Sequence, residues 1–435
     1  MRVPAALTRA RFPEPVLDVL RRLDAAGHRS WLVGGAVRDL LLHRPRDAAD
    51  FDVATPAMPD EVTRLFRRVV PTGIEHGTVT VVTRHGNVEV TTFRGEGAYV
   101  DGRRPGSVVF HRDLEADLSR RDFTMNALAF DPIAPEFKDP FGGREDMRRR
   151  IVRAVGPASE RFGEDGLRPM RAVRFAAQLG YDLHPATRAA IPGALDVVRK
   201  VSVERIAEEL LRLVVADGAA RGVELLRRTG LLGVVVPELA ALPAAEVRHA
   251  ASLLSRLPAD PALRLAALLH ALGPARAGEV LFALRVSRRI SDEAAALVAA
   301  HACPRGRADA PPSGGAGIRR WLSRVTPARV PAVLALREAE ARALPPPAAR
   351  RALAALRRFR REVEKVRAAA PPLAIGDLAL DGRGVMEVLG TGPGPRVGEA
   401  LRHLLDRVLE DPSLNAPGAL ESELRAWWLA RGRPL

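Results

Sequence analysis

Asp50 and Asp52 stand two residues apart in the segment Asp50-Phe51-Asp52-Val53-Ala54-Thr55. In an extended strand, residues so spaced project from one face, which would bring the two carboxylates together. Like charges that close raise one pKa unless a cation sits between them. Mg²⁺ meets that need, taking one or two carboxylates together with phosphate oxygens. Upstream, Trp31-Leu32-Val33 runs into Gly34 and Gly35 and then into Ala36-Val37-Arg38-Asp39-Leu40-Leu41-Leu42, a helix-like pattern. A strand feeding a Gly-Gly turn and a helix N-terminus offers free backbone N–H groups and a positive dipole end, an arrangement suited to a polyphosphate. Taken singly, a spaced acid pair is an ordinary loop feature and Gly-Gly an ordinary turn. Together they point to nucleotidyl transfer by a two-metal mechanism.

The elements that must position these residues are legible from pattern. Residues 12–27 read as an amphipathic helix, Trp31 to Val33 as a buried strand and Glu61 to Arg68 as a helix. Thr72 to Val82 and Asn87 to Phe93 read as strands joined by the turn Arg84-His85-Gly86. Glu89 lies in the second strand, either as a third carboxylate beside the metal or as a solvent-face residue. The Gly-rich, charged stretch from Phe93 to Leu118 reads as a long mobile loop of the kind that is usually functional or disordered. Next, Arg121, Asp122 and Asn126 place three hydrogen-bonding side chains against an apolar Phe123/Leu128 backing; the plain alternative is a capped helix with a wet polar face.

From about Val155 the pattern turns helical. Asp165, Arg168, Arg171 and Arg174 recur at intervals of three. On one helix Asp165 and Arg168 would be neighbours able to serve one ligand, with Arg174 rotated to the far side. Pro169 requires that helix to start near it or to kink. Residues 202–300 continue as amphipathic helices, 304–317 and 343–349 read as loops, and Arg350 to Ala368 as an Arg-rich helix with a solvated face. Pro371-Pro372 marks a linker to a tail ending in a helix from Glu421 to Arg431 that carries Trp427 and Trp428.

Composition narrows the partner. A chain of 435 residues exceeds one core. Its net charge of +15 and pI of about 11.2 favour a polyanion such as nucleic acid. Only Lys138, Lys200 and Lys365 are lysines among 67 basic residues, and Arg suits bidentate phosphate and base-edge contacts. A GC-rich coding bias would also raise Arg over Lys, but would leave the net charge unexplained. One cysteine, Cys303, excludes an internal disulfide and a Cys-based zinc site. With no N-terminal h-region and no run of 18 apolar residues, a cytoplasmic protein without a membrane partner is expected.

In this order, the motifs resemble the bacterial tRNA nucleotidyltransferases that add or repair the 3′-terminal CCA, in the class II branch shared with bacterial poly(A) polymerases. The resemblance runs over roughly residues 20–215 and returns in the tail. It rests on LVGGAVRDLLL with DFDVAT, HGTVTV with EVTTFRGEGAYVDGRRP, RRDFTMNALA, DPFGG, RFGEDGLRPMRAVRFAAQLG and SVERIAEEL. It implies that Gly35 (beside Gly34) and Arg38 hold the nucleotide's phosphates, that Asp50 and Asp52 bind Mg²⁺, and that Glu89 is a third carboxylate. It implies ribose-side contacts at Arg121 and Asp122 with Asn126 beside them. It also implies that Asp165 and Arg168 read the incoming base of CTP or ATP, with Arg171 and Arg174 as further nucleotide contacts. Two features depart from the pattern: an insertion near Asp47-Ala48 before Asp50, and Pro169 after Arg168.

The resemblance separates relatives. Thr72 to Val82 stands where poly(A) polymerases of this branch carry an Arg-rich stretch, and Gly95 to Pro105 supplies the flexible loop that CC-adding enzymes lack. A-only addition stays open. Leu380 to Asn415 resembles the tail segment that contacts the tRNA elbow, with Arg383-Gly384 replacing a more usual Lys/Arg-Asp pair. Arg264 to Pro274 resembles the HD phosphohydrolase segment, but Ala271 replaces its Asp and no Lys follows Gly273. His270 alone cannot hold a metal pair, so this segment reads as a degenerate helix and hydrolase activity is not expected. A non-catalytic RNA-binding module is the other alternative, against which the intact Asp50 and Asp52 weigh.

The expected fold is α+β: a polymerase-β-like nucleotidyltransferase head with a mixed sheet, then an all-α neck, body and tail. The expected bounds are head 1–154, neck 155–215, body 216–369 and tail 370–435. The expected partner is tRNA, through its acceptor stem and elbow.

Overall fold

The computed structural model describes residues 2–44, 51–84, 86–95, 99–100, 104–105, 110–301 and 314–431. Asp50, the insertion at Asp47-Ala48, Cys303, most of the Gly95–Pro105 loop and most of the 304–317 stretch lie outside the described residues. The chain divides into two compact units, Met1–Leu242 and Pro243–Leu435.

The first unit opens with α1 (Ala5–Thr8) and α2 (Glu14–Ala25), whose Val16, Val19, Leu20 and Leu23 form one buried stripe. Strand β1 (Trp31–Val33) is buried throughout. It ends at Gly34, whose φ of 71° is open to glycine at little cost, and α3 (Gly35–Leu41) starts at once. A Cβ on Gly34 would also stand 2.8 Å from Arg121 Nη1, but that is the movable end of a long side chain, so it is the backbone conformation that demands glycine.

Strand β2 (Asp52–Thr55) leads to α4 (Pro59–Leu65), β3 (Val69–Gly73), β4 (Thr78–Thr83) and β5 (Gly86–Thr92). The helix expected to reach Arg68 stops at Leu65 because Phe66 turns extended and feeds β3. Thr72 to Val82 is not one strand. Gly73 and a 3₁₀ turn at Ile74–His76 interrupt it, and Gly77 at φ 71° closes the turn where a Cβ would strike the Phe110 ring. Among its described residues the expected loop from Phe93 carries structure: Arg94 bridges Phe110, β6 (Tyr99–Val100) pairs with β7 (Arg104–Pro105), and α5 (Leu114–Ser119) is capped by Asp113.

Arg120 to Ala129 makes a 3₁₀ turn at Thr124–Asn126 rather than a helix, then enters β8 (Ala129–Asp131) and β9 (Glu136–Lys138). The main sheet runs β3-β4-β5-β2-β1-β8-β9. It is mixed: β2 lies parallel to β5 and the other neighbours are antiparallel. Trp31, Val33, Ala54, Phe93, Leu118, Ala127, Ala129 and Val155 pack one cluster of its core.

Beyond α6 (Gly143–Arg148) and the short pair β10 (Ile151–Val152) and β11 (Asp182–Leu183), the unit is helical. The segment from Ser159 to Gly180 breaks in two. Helix α7 (Ala158–Glu164) ends at Asp165 in extended backbone, and α8 (Arg168–Leu179) starts with Pro169 in its first turn. At the break only glycine fits position 166, since a Cβ there would lie 2.4 Å from the Val197 carbonyl oxygen. Helices α9 (Pro185–Ala190), α10 (Leu195–Val198), α11 (Val203–Val214) and α12 (Ala219–Thr229) follow, with α8 packed on α11 and α12.

The second unit is all helical among its described residues. The expected loop 343–349 shrinks to Leu344-Pro345, because helix Pro346–Ala368 uses a proline in its first turn. That helix buries Leu356, Phe359 and Val363 and leaves most of its arginines in solvent. In the tail, Val385, Leu389, Leu404, Leu420, Leu424 and Trp428 share one core. Asp381 caps helix Gly382–Leu389, its Oδ1 accepting from the N–H groups of Arg383 and Gly384. The last helix spans Pro417–Leu429. Among the described residues no helix is long and apolar enough to cross a membrane.

Candidate active site

An open cleft of about 790 Å³ lies in the first unit, between the sheet and α8. Its walls carry eight arginines (38, 94, 120, 121, 168, 171, 174, 212) against four acids, Asp39, Asp52, Glu89 and Asp122. Such an excess of guanidinium groups in a concave site attracts a polyanion.

On the sheet side, parallel pairing of β2 and β5 puts Asp52 opposite Glu89. Both side chains are exposed and both line the cleft. These two carboxylates on adjacent strands make an all-oxygen donor set of the kind Mg²⁺ prefers. Gly34, Gly35 and Arg38 line the same cleft.

Opposite them, the polar side chains form a connected network. The Arg38 guanidinium donates from Nε and Nη2 to the two carboxylate oxygens of Asp39 at 2.8 and 3.0 Å, and from Nη1 to Asn126 Oδ1 at 2.7 Å. Asn126 Nδ2 donates to Asp122 Oδ1 at 2.9 Å. Asp122 Oδ2 accepts from Arg171 Nε at 2.7 Å. Glu209 of α11 accepts from Arg174 Nε, and Arg174 Nη1 donates to Gln178 Oε1 at 2.7 Å. The Phe175 ring serves three cations at once, with Arg174, Arg38 and Arg171 at 3.9, 5.0 and 5.4 Å from its centroid. Arg121 is held by Asp117, which is buried and also binds Arg120.

These contacts set the charges. Burial pushes the Asp122 carboxyl up, but the Arg171 charge and the hydrogen bond from Asn126 outweigh it and hold the pKa below the carboxylate range. The Asp122 charge in turn raises Arg171 against its own burial. Asp117 is likewise held low, the charges of Arg121 and Arg120 overcoming its desolvation. The cleft wall is therefore fixed as ion pairs.

Most residues expected from sequence meet here: Gly34, Gly35, Arg38, Asp52, Glu89, Arg121, Asp122, Asn126, Arg168, Arg171 and Arg174. Arg174 does not turn to the far side; its side chain folds over Phe175 into the same cleft. Asp165 and Arg168 are not one helix face. Asp165 accepts from the Leu167 N–H at 3.0 Å and from Arg205 Nη2 at 3.2 Å. Arg168 binds Glu164 and donates to the carbonyls of Arg120 and Arg161 at 2.8 and 3.0 Å. The sequence reading missed Asp39, Asp117, Glu209 and Phe175. Glu209, on the core side of an otherwise apolar helix stripe, was the findable one, because a buried carboxylate demands a cation.

Comparison with known proteins places the chain in a family. The family model of the poly A polymerase head domain matches residues 30–153, and one described as a probable RNA and SrmB-binding site of polymerase A matches residues 180–242. The chain is 40% identical over 425 residues to the CCA-adding enzyme of Geobacillus stearothermophilus, covering 97% of each. To that of Geobacillus thermodenitrificans it is 38% identical over 426 residues, again covering 97% of each. The crystal structure of the Bacillus stearothermophilus CCA-adding enzyme in complex with CTP matches with a TM-score of 0.75 at 36% identity, covering 96% of this chain and 98% of that one. The Thermotoga maritima CCA-adding enzyme complexed with tRNA matches at a TM-score of 0.62 and 16% identity, covering 98% of each, and shows a shared fold. With 40% identity along nearly its whole length to a bacterial CCA-adding enzyme, the chain belongs to that family of tRNA nucleotidyltransferases.

Proposed function

We propose that this cleft adds or repairs the 3′-terminal CCA of tRNA without a nucleic-acid template, using CTP and ATP. The observation that carries the reading is the Asp52–Glu89 carboxylate pair facing a wall of arginines in one cleft. The backbone at Gly34 and Gly35 and the guanidinium of Arg38 cradle the triphosphate. Arg121, Asp122 and Asn126 receive the ribose. The tRNA 3′-hydroxyl attacks the α-phosphorus in line, a new P–O bond forms, and the bond to the β-phosphate oxygen breaks to release pyrophosphate. Asp50 and Asp52 are the residues that would hold Mg²⁺, with Glu89 beside them; when bound, the ions supply charge neutralisation at the attacking and leaving oxygens.

Residues 155–215 form the base-reading neck in this account, with Asp165 and Arg168 as its readers. A carboxylate accepts from the exocyclic amine of C or A and a guanidinium donates to the adjacent ring nitrogen. U and G present the reverse pattern and leave both groups unpaired, the stronger form of discrimination. Residues 216–369 form the body and 370–435 the tail. The acceptor stem and elbow of tRNA would be met chiefly through phosphates, in the cytoplasm. Exchanging Asp165 for Asn and Arg168 for Ala tests the base-reading pair. Each change should relax selection of CTP and ATP over UTP and GTP by roughly 100-fold, as expected for loss of a hydrogen-bonded reader. Unchanged selectivity in Asp165→Asn would remove Asp165 from the reading set.

A further inference from the structure

The second unit holds a cluster that nucleotidyl transfer does not use. His249 from helix Ala244–Leu254, His270 after helix Pro261–Leu269, and Glu340 from helix Val330–Ala343 converge. Their ligand atoms all lie within 4.8 Å of one another. His270 Nε2 is 3.0 Å and His249 Nε2 3.7 Å from Glu340 Oε1. His301, at the end of helix Arg288–His301, brings its Nε2 to 3.3 Å from the other oxygen, Oε2. We propose that His249, His270 and Glu340 form a binding site for a borderline-soft divalent cation such as Zn²⁺, with His301 as a fourth ligand or as the residue that holds Glu340 in place.

Three features carry this. First, the donor set of imidazole nitrogens and a carboxylate oxygen suits tetrahedral zinc, and metal–ligand bonds near 2.0–2.1 Å give a tetrahedral edge of about 3.3 Å. The separations of 3.0 and 3.7 Å straddle that edge. Second, His270 Nδ1 is 2.7 Å from the Ala267 carbonyl oxygen. Donating there leaves Nε2 to face the carboxylate across a proton or a metal ion, and a backbone acceptor on Nδ1 is the usual outer-shell support of a metal-bound imidazole. Third, His301 is 3% exposed, its Nδ1 has no hydrogen-bond partner among the described residues, and its Nε2 meets only Glu340, at 3.3 Å and without hydrogen-bond geometry. A buried imidazole left so is costly unless it has a ligand.

The partly exposed His249 gives an ion its way in. Bound, the ion would tie helices widely separated in the chain to one point. The segment around His270, with Ala271 in place of an aspartate, would act as a brace.

The test uses the full-length protein stripped with a chelator, then dialysed against Zn²⁺ alone and assayed for metal content and melting temperature. The wild type should retain one more equivalent of zinc per chain than His249→Gln or His270→Gln, and zinc should raise its melting temperature by roughly 5 °C, a rise the variants lose. His249→Gln alters a partly exposed side chain and keeps the test valid should His270→Gln fail to fold. Co²⁺ in place of zinc should give the strong visible absorption of a tetrahedral site in the wild type only. Equal zinc content in wild type and His249→Gln would overturn the site and leave a proton-held His–Glu cluster. Nucleotidyl transfer enters none of these readouts, so this outcome and the failure of the proposed function are independent.

Discussion

Asp52→Asn is expected to lower nucleotide incorporation by roughly 1000-fold or more while leaving the melting temperature within about 1 °C of wild type. A bound metal contributes several kcal/mol of charge stabilisation, and each 1.36 kcal/mol is a factor of ten in rate. The fold is spared because the Asp52 side chain stands in the open cleft, while its strand is anchored by the buried Val53, Ala54 and Thr55. Single-turnover incorporation of CTP on a tRNA transcript, with thermal denaturation as the control, separates the two effects. Turnover retained at more than about a tenth of wild type would remove Asp52 from the metal-binding pair.

The second large effect is expected at Asp122. Its carboxylate joins the turn at Phe123, the amide of Asn126 and the Arg171 guanidinium, so Asp122→Ala leaves three donors unsatisfied. Breaking a buried pair costs about 3–5 kcal/mol, but Arg171 is 31% exposed in its side chain, so about 2–3 kcal/mol is the reasonable expectation. In a unit of this size that lowers the melting temperature by roughly 6–9 °C. Incorporation should fall with it, because Arg38 is positioned through Asn126. Asp122→Asn keeps an oxygen for Phe123 and Asn126 and should recover part of the stability but little of the activity. If Asp122→Ala melted like wild type, the network would not be the scaffold of the cleft. The sign of the pH effect follows from the depressed pKa. The stability from this carboxylate is complete above its ordinary value of 3.8 and is lost as pH falls through the lower folded value. Acid, not alkali, should release it.

What the sequence disclosed divides by distance along the chain. Gly34, Gly35 and Asp52 were legible because strand period and turn chemistry are local, whereas Glu89 stayed open between two readings until the pairing of β2 with β5 put it opposite Asp52. The cleft's supporting residues were not. Asp39 sits next to Arg38, and neighbours on a helix do not ordinarily face one another, yet the long guanidinium curls back to take both oxygens. Glu209 reaches Arg174 only after α8 and α11 have packed. The expected helix face of Asp165 and Arg168 failed because α7 ends at Asp165 in extended backbone and α8 begins only at Arg168, with Gly166 pressed against the Val197 carbonyl between them. In the second unit His270 read as a lone histidine. Its companions His249, His301 and Glu340 lie on other helices, and no spacing rule links them.

The central claim is tested most directly by sizing products on three tRNA transcripts, one ending before the first C, one after CC and one complete. Each is incubated with CTP, ATP or both. The account predicts two C and one A added in steps to the first, one A to the second, none to the third, and then arrest. Addition of A to the CC-ended transcript alone would contradict full CCA synthesis and make this an A-adding enzyme. Long A tails on any transcript would contradict the reading altogether.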